Sequence, residues 1–68
     1  MTVFYNEKEI GNIVTNRSMT IKEALWSLGY DIEEPADCEK AYKDGFAPAY
    51  IDDNGEYQID IEACRMVY

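Results

Sequence analysis

Histidine is absent from the 68 residues. With it goes the commonest general base, and the imidazole that would activate a nucleophile. Ser18, Ser27, Cys38 and Cys64 therefore have no evident base partner. Two cysteines without histidine are too few for a closed zinc site of four nitrogen or sulfur ligands. No apolar run approaches the ~20 residues of a membrane span. The opening MTVFYNEKEIG has no basic region followed by an apolar stretch, so a secretory signal is not expected. Both cysteines are then expected as thiols in a reducing cytoplasm. A Cys38–Cys64 disulfide stays open, with nothing in the sequence to favour it. Basic residues are scarce, six against fourteen acids, for a net charge of −8. A chain this short also offers little concave volume for a substrate, against pockets of roughly 300 Å³ or more in enzymes. An enzyme is not expected.

What is present is enough for a core. Hydrophobic residues make up 47% and aromatics 13%, too apolar for a disordered acidic tail. Residues 1–68 are expected as one α+β domain, burying roughly 60% of the surface exposed by the unfolded chain. The stability of such a chain is on the order of 3 to 5 kcal/mol.

The pattern along the chain predicts an N-terminal β-hairpin, two helices and a C-terminal β-hairpin. TVFYN and EIGNIVTN are rich in β-formers and flank the polar Asn6-Glu7-Lys8. In TIKEALWSLG, Thr20 and Glu23 form a capping box, and Ile21, Ala24, Leu25 and Leu28 fall on one helical stripe. Gly29 supplies the left-handed stop. PADCEKAYKD begins with Pro35 in the first turn and ends before Gly45. Its apolar stripe is Cys38, Ala41 and Tyr42, with Phe46 expected to pack back on the helix. PAYIDD and EYQID pair around Asn54-Gly55. The tail IEACRMVY reads either as a strand or as a short helix capped by Asp60.

Acid is unevenly spread. Residues 1–30 balance, with Glu7, Glu9 and Glu23 against Lys8, Arg17 and Lys22. Residues 31–62 hold eleven acids against Lys40 and Lys43. Five of the eleven lie in YIDDNGEYQIDIE, where a two-residue Asn54-Gly55 turn would set Asp53 opposite Glu56, an unfavourable cross-strand pair. DDNGE has the oxygen chemistry of a calcium loop but not its spacing. Counted from Asp52, Gly55 is fourth and Ala63 twelfth, where an EF-hand wants glycine sixth and glutamate twelfth. The hairpin reading is preferred.

From Ser18 onward the chain resembles the small winged-helix domains of phage excisionases and MerR-type regulators. TIKEALWSLG matches the first helix, GFAPAY the passage to the wing, and DDNGEYQIDIEA the wing and the segment after it. The resemblance implies a DNA-binding accessory factor. In that family the second helix and wing bring arginine and lysine to DNA. Here the corresponding positions read Asp37, Glu39, Lys40, Lys43 and Asp44, with an acidic wing after them. DNA binding gains affinity by neutralising phosphates, so this surface is expected to repel nucleic acid.

By size and charge the chain is similar to phage and mobile-element inhibitors of host defence, of the anti-CRISPR and anti-restriction kind. Together with the absences above, the reading is a cytoplasmic, non-enzymatic protein without cofactor or metal that blocks a basic groove by charge mimicry. Its expected partner is a basic protein that binds nucleic acid. The candidate contact charges are Asp52, Asp53, Glu56, Asp60 and Glu62, with Glu33, Glu34, Asp37 and Glu39 as a second cluster. Tyr50 and Tyr57 would add apolar contact. Trp26 falls off the helix stripe. It is expected beneath the first hairpin, the alternative being an interface anchor, because tryptophan and tyrosine dominate binding hot spots. Two other readings stay open: a winged-helix accessory factor that acts through protein contacts or binds DNA through the few cations near its N-terminal half, and a subunit whose acidity serves solubility alone.

Overall fold

In the computed structural model, which describes residues 1–68, the chain opens with strands β1 (Thr2–Tyr5) and β2 (Lys8–Asn12). Only Asn6 and Glu7 separate them, at φ 49° and 69°. Two consecutive positive φ values mark the type I′ turn, whose twist matches that of the flanking strands. The expected three-residue turn is thus one residue shorter, and Lys8 pairs with Tyr5 in the ladder. Val3 pairs with Gly11 and Phe4 with Glu9, so Ile10 is the extra residue of a bulge. The second strand also stops earlier than expected. Mutual backbone bonds between Met1 and Ile13 close it, and Val14 is fully exposed.

Helix α1 (Ile21–Ser27) starts and stops as its sequence predicts. Thr20 Oγ1 accepts from the Glu23 amide at 3.2 Å, and Glu23 Oε1 accepts from the Thr20 amide at 3.1 Å. At its end the Tyr30 amide donates to Leu25 O and the Gly29 amide to Trp26 O, with Gly29 at φ 106°. This is the paired-bond Schellman stop that a left-handed glycine permits. Ala24 and Leu25 are fully buried. Trp26 is not: it is 67% exposed, against the expectation that it packs under the hairpin. Leu28 occupies that place. A Cβ on Gly11 would lie 2.7 Å from both Leu28 methyls, so the glycine is what lets β2 approach the helix.

Helix α2 (Pro35–Lys43) opens on Glu34, whose side chain makes no cap bond, and on Pro35, which needs no partner for a missing N–H. It ends in a second Schellman arrangement. The Phe46 amide bonds Ala41 O at 2.9 Å, and Phe46 packs on the cluster that contains Ala41. Cys38 and Ala41 are buried, whereas Tyr42 of the expected stripe is exposed.

Strands β3 (Ala49–Ile51) and β4 (Tyr57–Ile59) form the second hairpin. Its register corrects the expected Asp53–Glu56 pairing. Ile51 pairs with Tyr57, and the Asp52 amide donates to Glu56 O at 2.9 Å. The Gly55 amide donates to Asp52 O, and Gly55 sits at φ 78°. A turn over Asp53-Asn54 and then a left-handed glycine is the three-residue hairpin loop. Asp52 selects it, because its Oδ1 accepts from the Asn54 and Glu56 amides, both at 2.9 Å.

The tail resolves as a strand, β5 (Cys64–Val67), antiparallel to β1. The sheets are therefore β2-β1-β5 and β3-β4. Leu25, Cys38, Ala41 and Ile59 form the buried cluster between α1, α2 and the second hairpin, while Val3 is buried in the first sheet. Both cysteines are free thiols. No helix is long and apolar enough to cross a membrane.

Candidate functional site

The turn from Asp31 to Glu34 delivers the chain into α2, and it is fixed from within. The Asp31 amide donates to Asp37 Oδ2 at 2.8 Å, and the Glu34 amide to Asp31 O at 3.0 Å. Pro35 then starts the helix with its first turn facing the loop of the β3–β4 hairpin. Between them lies an open groove of about 610 Å³. Ile32, Pro35, Ala36 and Tyr57 supply its apolar surface, and Glu33, Glu39 and Glu56 line it as well. The two acidic clusters of the sequence thus meet here, Glu33 and Glu39 from one and Glu56 from the other. Tyr57 is braced from the side by Tyr42, ring centroids 5.5 Å apart.

The remaining predicted contact charges divide by what holds them. Asp37, Asp52 and Asp60 are half-buried acceptors. Asp52 binds its own loop amides and Gln58 Nε2, and the Glu56 amide, first among these, holds its carboxyl below the ordinary aspartate value. Asp60 accepts from the Tyr5 hydroxyl at 3.4 Å. Burial, then the charge of Asp60, pushes the Tyr5 phenol up. Glu34, Asp53, Glu56 and Glu62 are exposed and belong to none of the ion pairs. Glu34, Asp53 and Glu62 lie outside the groove. Tyr50 pairs with Gln58, and Ile51 with Tyr57. Alternation along the strands then puts Tyr50 and Tyr57 on opposite faces, and Tyr50 is not part of the groove.

Trp26 borders a second concavity of about 410 Å³, together with Arg17, Met19 and Lys22. Glu33 lines both grooves and joins them. The molecule's ion pairs surround this region: Arg17 with Glu23, Lys22 with Glu33, and Lys43 with Glu39. Lys40 lies over the Tyr30 ring at 5.6 Å and Arg65 over Phe4 at 4.9 Å. Five of the six cations are therefore engaged within the chain. The apolar walls at Ile32, Pro35 and Ala36 are the part that sequence patterning missed. Pro35 was legible as a helix start, but nothing local says that this helix start faces a hairpin.

The first groove is lined by carboxylates and the Cys38 thiol, and Cys64 is the second thiol of the chain. The Cys64 thiol is pushed up to about 11, by burial first and then by Asp60. Burial, then Asp37, also raises Cys38. Nucleophilic cysteines need the opposite shift, since the thiolate is the reactive form. No three carboxylates or thiols come together as a ligand set for a metal ion. No protein family, curated protein or solved structure matches the chain.

Proposed function

We propose that this chain is a non-enzymatic acidic protein that covers the nucleic-acid-binding surface of a basic protein and blocks it by charge mimicry, acting in the cytoplasm. The observation behind the reading is the asymmetry of free charge. Fourteen acids stand against six cations, and only three of the acids lie in ion pairs. Exposed carboxylates at Glu34, Asp53, Glu56 and Glu62 have no such partner. A surface with phosphate-like charge attracts what phosphate attracts, and accelerates that encounter. The same asymmetry counts against a winged-helix role on DNA. Around Lys40 and Lys43, α2 and its two caps carry Glu34, Asp37, Glu39 and Asp44, so acid outnumbers base on that element.

Competition tests the reading. With a partner purified by affinity capture, duplex DNA and this chain should exclude each other, and Kd should rise with salt as exposed charges are screened beyond ~10 Å at 0.1 M. The chain alone should not shift duplex DNA. A ternary complex with DNA, or a sequence-specific shift by the chain alone, would overturn it.

A further inference from the structure

The groove between α2 and the hairpin differs in kind from the exposed acids around it. Glu34, Asp53 and Glu62 stand on open surface, and a field from such charges attracts any cation equally. The groove combines carboxylates with apolar and aromatic surface: Glu39 and Glu56 beside Pro35, Ala36 and Tyr57. Of its three glutamates, Glu56 has no ion-pair partner. Glu33 and Glu39 are bridged to Lys22 and Lys43, but these pairs are exposed. Such pairs contribute little and exchange readily.

From this geometry we infer that the groove takes an arginine side chain projecting from a protein partner. The inference rests on the charge-mimicry reading above and specifies how it is executed. Three features suit arginine, and the first sets it apart from lysine. A guanidinium offers a planar fork of donors that grips a carboxylate through two parallel hydrogen bonds, which an ammonium does not. Its flat face also rests on an aromatic ring, here Tyr57, which Tyr42 holds in place. The side-chain stem lies over apolar surface while the head stays with the charges, as Pro35 and Ala36 allow. Gly55 at the groove's edge leaves the entrance open, since nothing lies within 4 Å of where its Cβ would be. A metal ion is a poorer occupant, because no three ligands converge.

Two capped peptides of equal charge separate this from a diffuse field: hexa-arginine and hexa-lysine, titrated at low salt into the ¹⁵N-labelled chain. The expected result is amide shifts centred on Ala36, Glu39, Gly55, Glu56 and Tyr57, with hexa-arginine several-fold tighter. The double variant Glu39→Gln/Glu56→Gln should weaken hexa-arginine about tenfold, the scale of one charge-assisted hydrogen bond. Glu34→Gln/Glu62→Gln removes the same charge outside the groove and should weaken it less than about threefold, the scale of exposed charge pairs. The same spectra report that both variants are folded. Equal affinities for the two peptides, and equal losses in the two variants, would overturn the arginine site and leave the charge reading standing. If neither peptide binds at low salt, both fall.

Discussion

At Asp52 a carboxylate that reads as a contact charge is turned onto its own backbone. Two loop amides and Gln58 donate to it. An Asp53–Glu56 repulsion would have made the hairpin a place where stability is surrendered to function. The actual loop needs no such explanation, since Asp53 stands at the tip and Asp52 stabilises the turn. Asp52→Ala should lower Tm by roughly 5 °C, and Asp52→Asn, which keeps one acceptor oxygen, should lower it less. The sign of the pKa shift sets the pH dependence. The folded carboxyl lies below its ordinary value, chiefly through the Glu56 amide. Its contribution is therefore complete above the unfolded value near ~4 and is lost as pH falls through the folded value. Thermal melts from pH 6 to pH 2.5 should fall less steeply for Asp52→Ala than for the wild type. Parallel curves would mean that the carboxylate's bonds do not stabilise the fold.

Among the elements, the first hairpin holds a residue poorly suited to its place. Glu7 sits at φ 69° in the second turn position, where a residue with a Cβ is strained by about 1 kcal/mol or more. Asn-Gly is the preferred pair for this turn. Glu7→Gly should therefore raise stability by about 1 kcal/mol, seen as a Tm increase of roughly 4–8 °C. A lower Tm would show that the entropy of the glycine outweighs the relief of strain. Both helices were legible in the sequence because their signals are local: Thr20 with Glu23, Pro35, and the two stop glycines at 29 and 45. The strand at Cys64–Val67 was not legible, because its partner β1 lies at the other end of the chain. Asn54-Gly55 pointed to the right hairpin and the wrong loop, since its turn preference yields to the Asp52 side chain. Trp26 was misplaced because Leu28 against Gly11 fills the space beneath the hairpin. The acids of the groove were visible one segment at a time, while their meeting depends on α2 packing against β3 and β4.

The whole molecule is 37 Å long, with seven buried residues and a net charge of −8. Self-repulsion at that charge opposes the compact state, while the exposed ion pairs offset little of it. Raising NaCl from 20 to 500 mM should therefore raise Tm at pH 7, as screening shortens to roughly 4–5 Å, whereas under the charge-mimicry proposal the same salt should weaken partner binding. A Tm that falls with salt would show that the three ion pairs outweigh the repulsion. The charge has a further bearing on how copies of the chain meet. Of the five strands only β1 is paired on both sides, so the others each have an edge free of any strand partner. An open edge is a template for another chain. Here Tyr50 and Ile51 on β3 are both nearly half exposed, and would add apolar adhesion to that template. At neutral pH each copy repels the next before two edges can align. Near the isoelectric point of about 4.2 that barrier vanishes, so association through the open edges of β3 and β4 is expected to set in there, seen as light scattering that rises as pH falls from 7 towards 4.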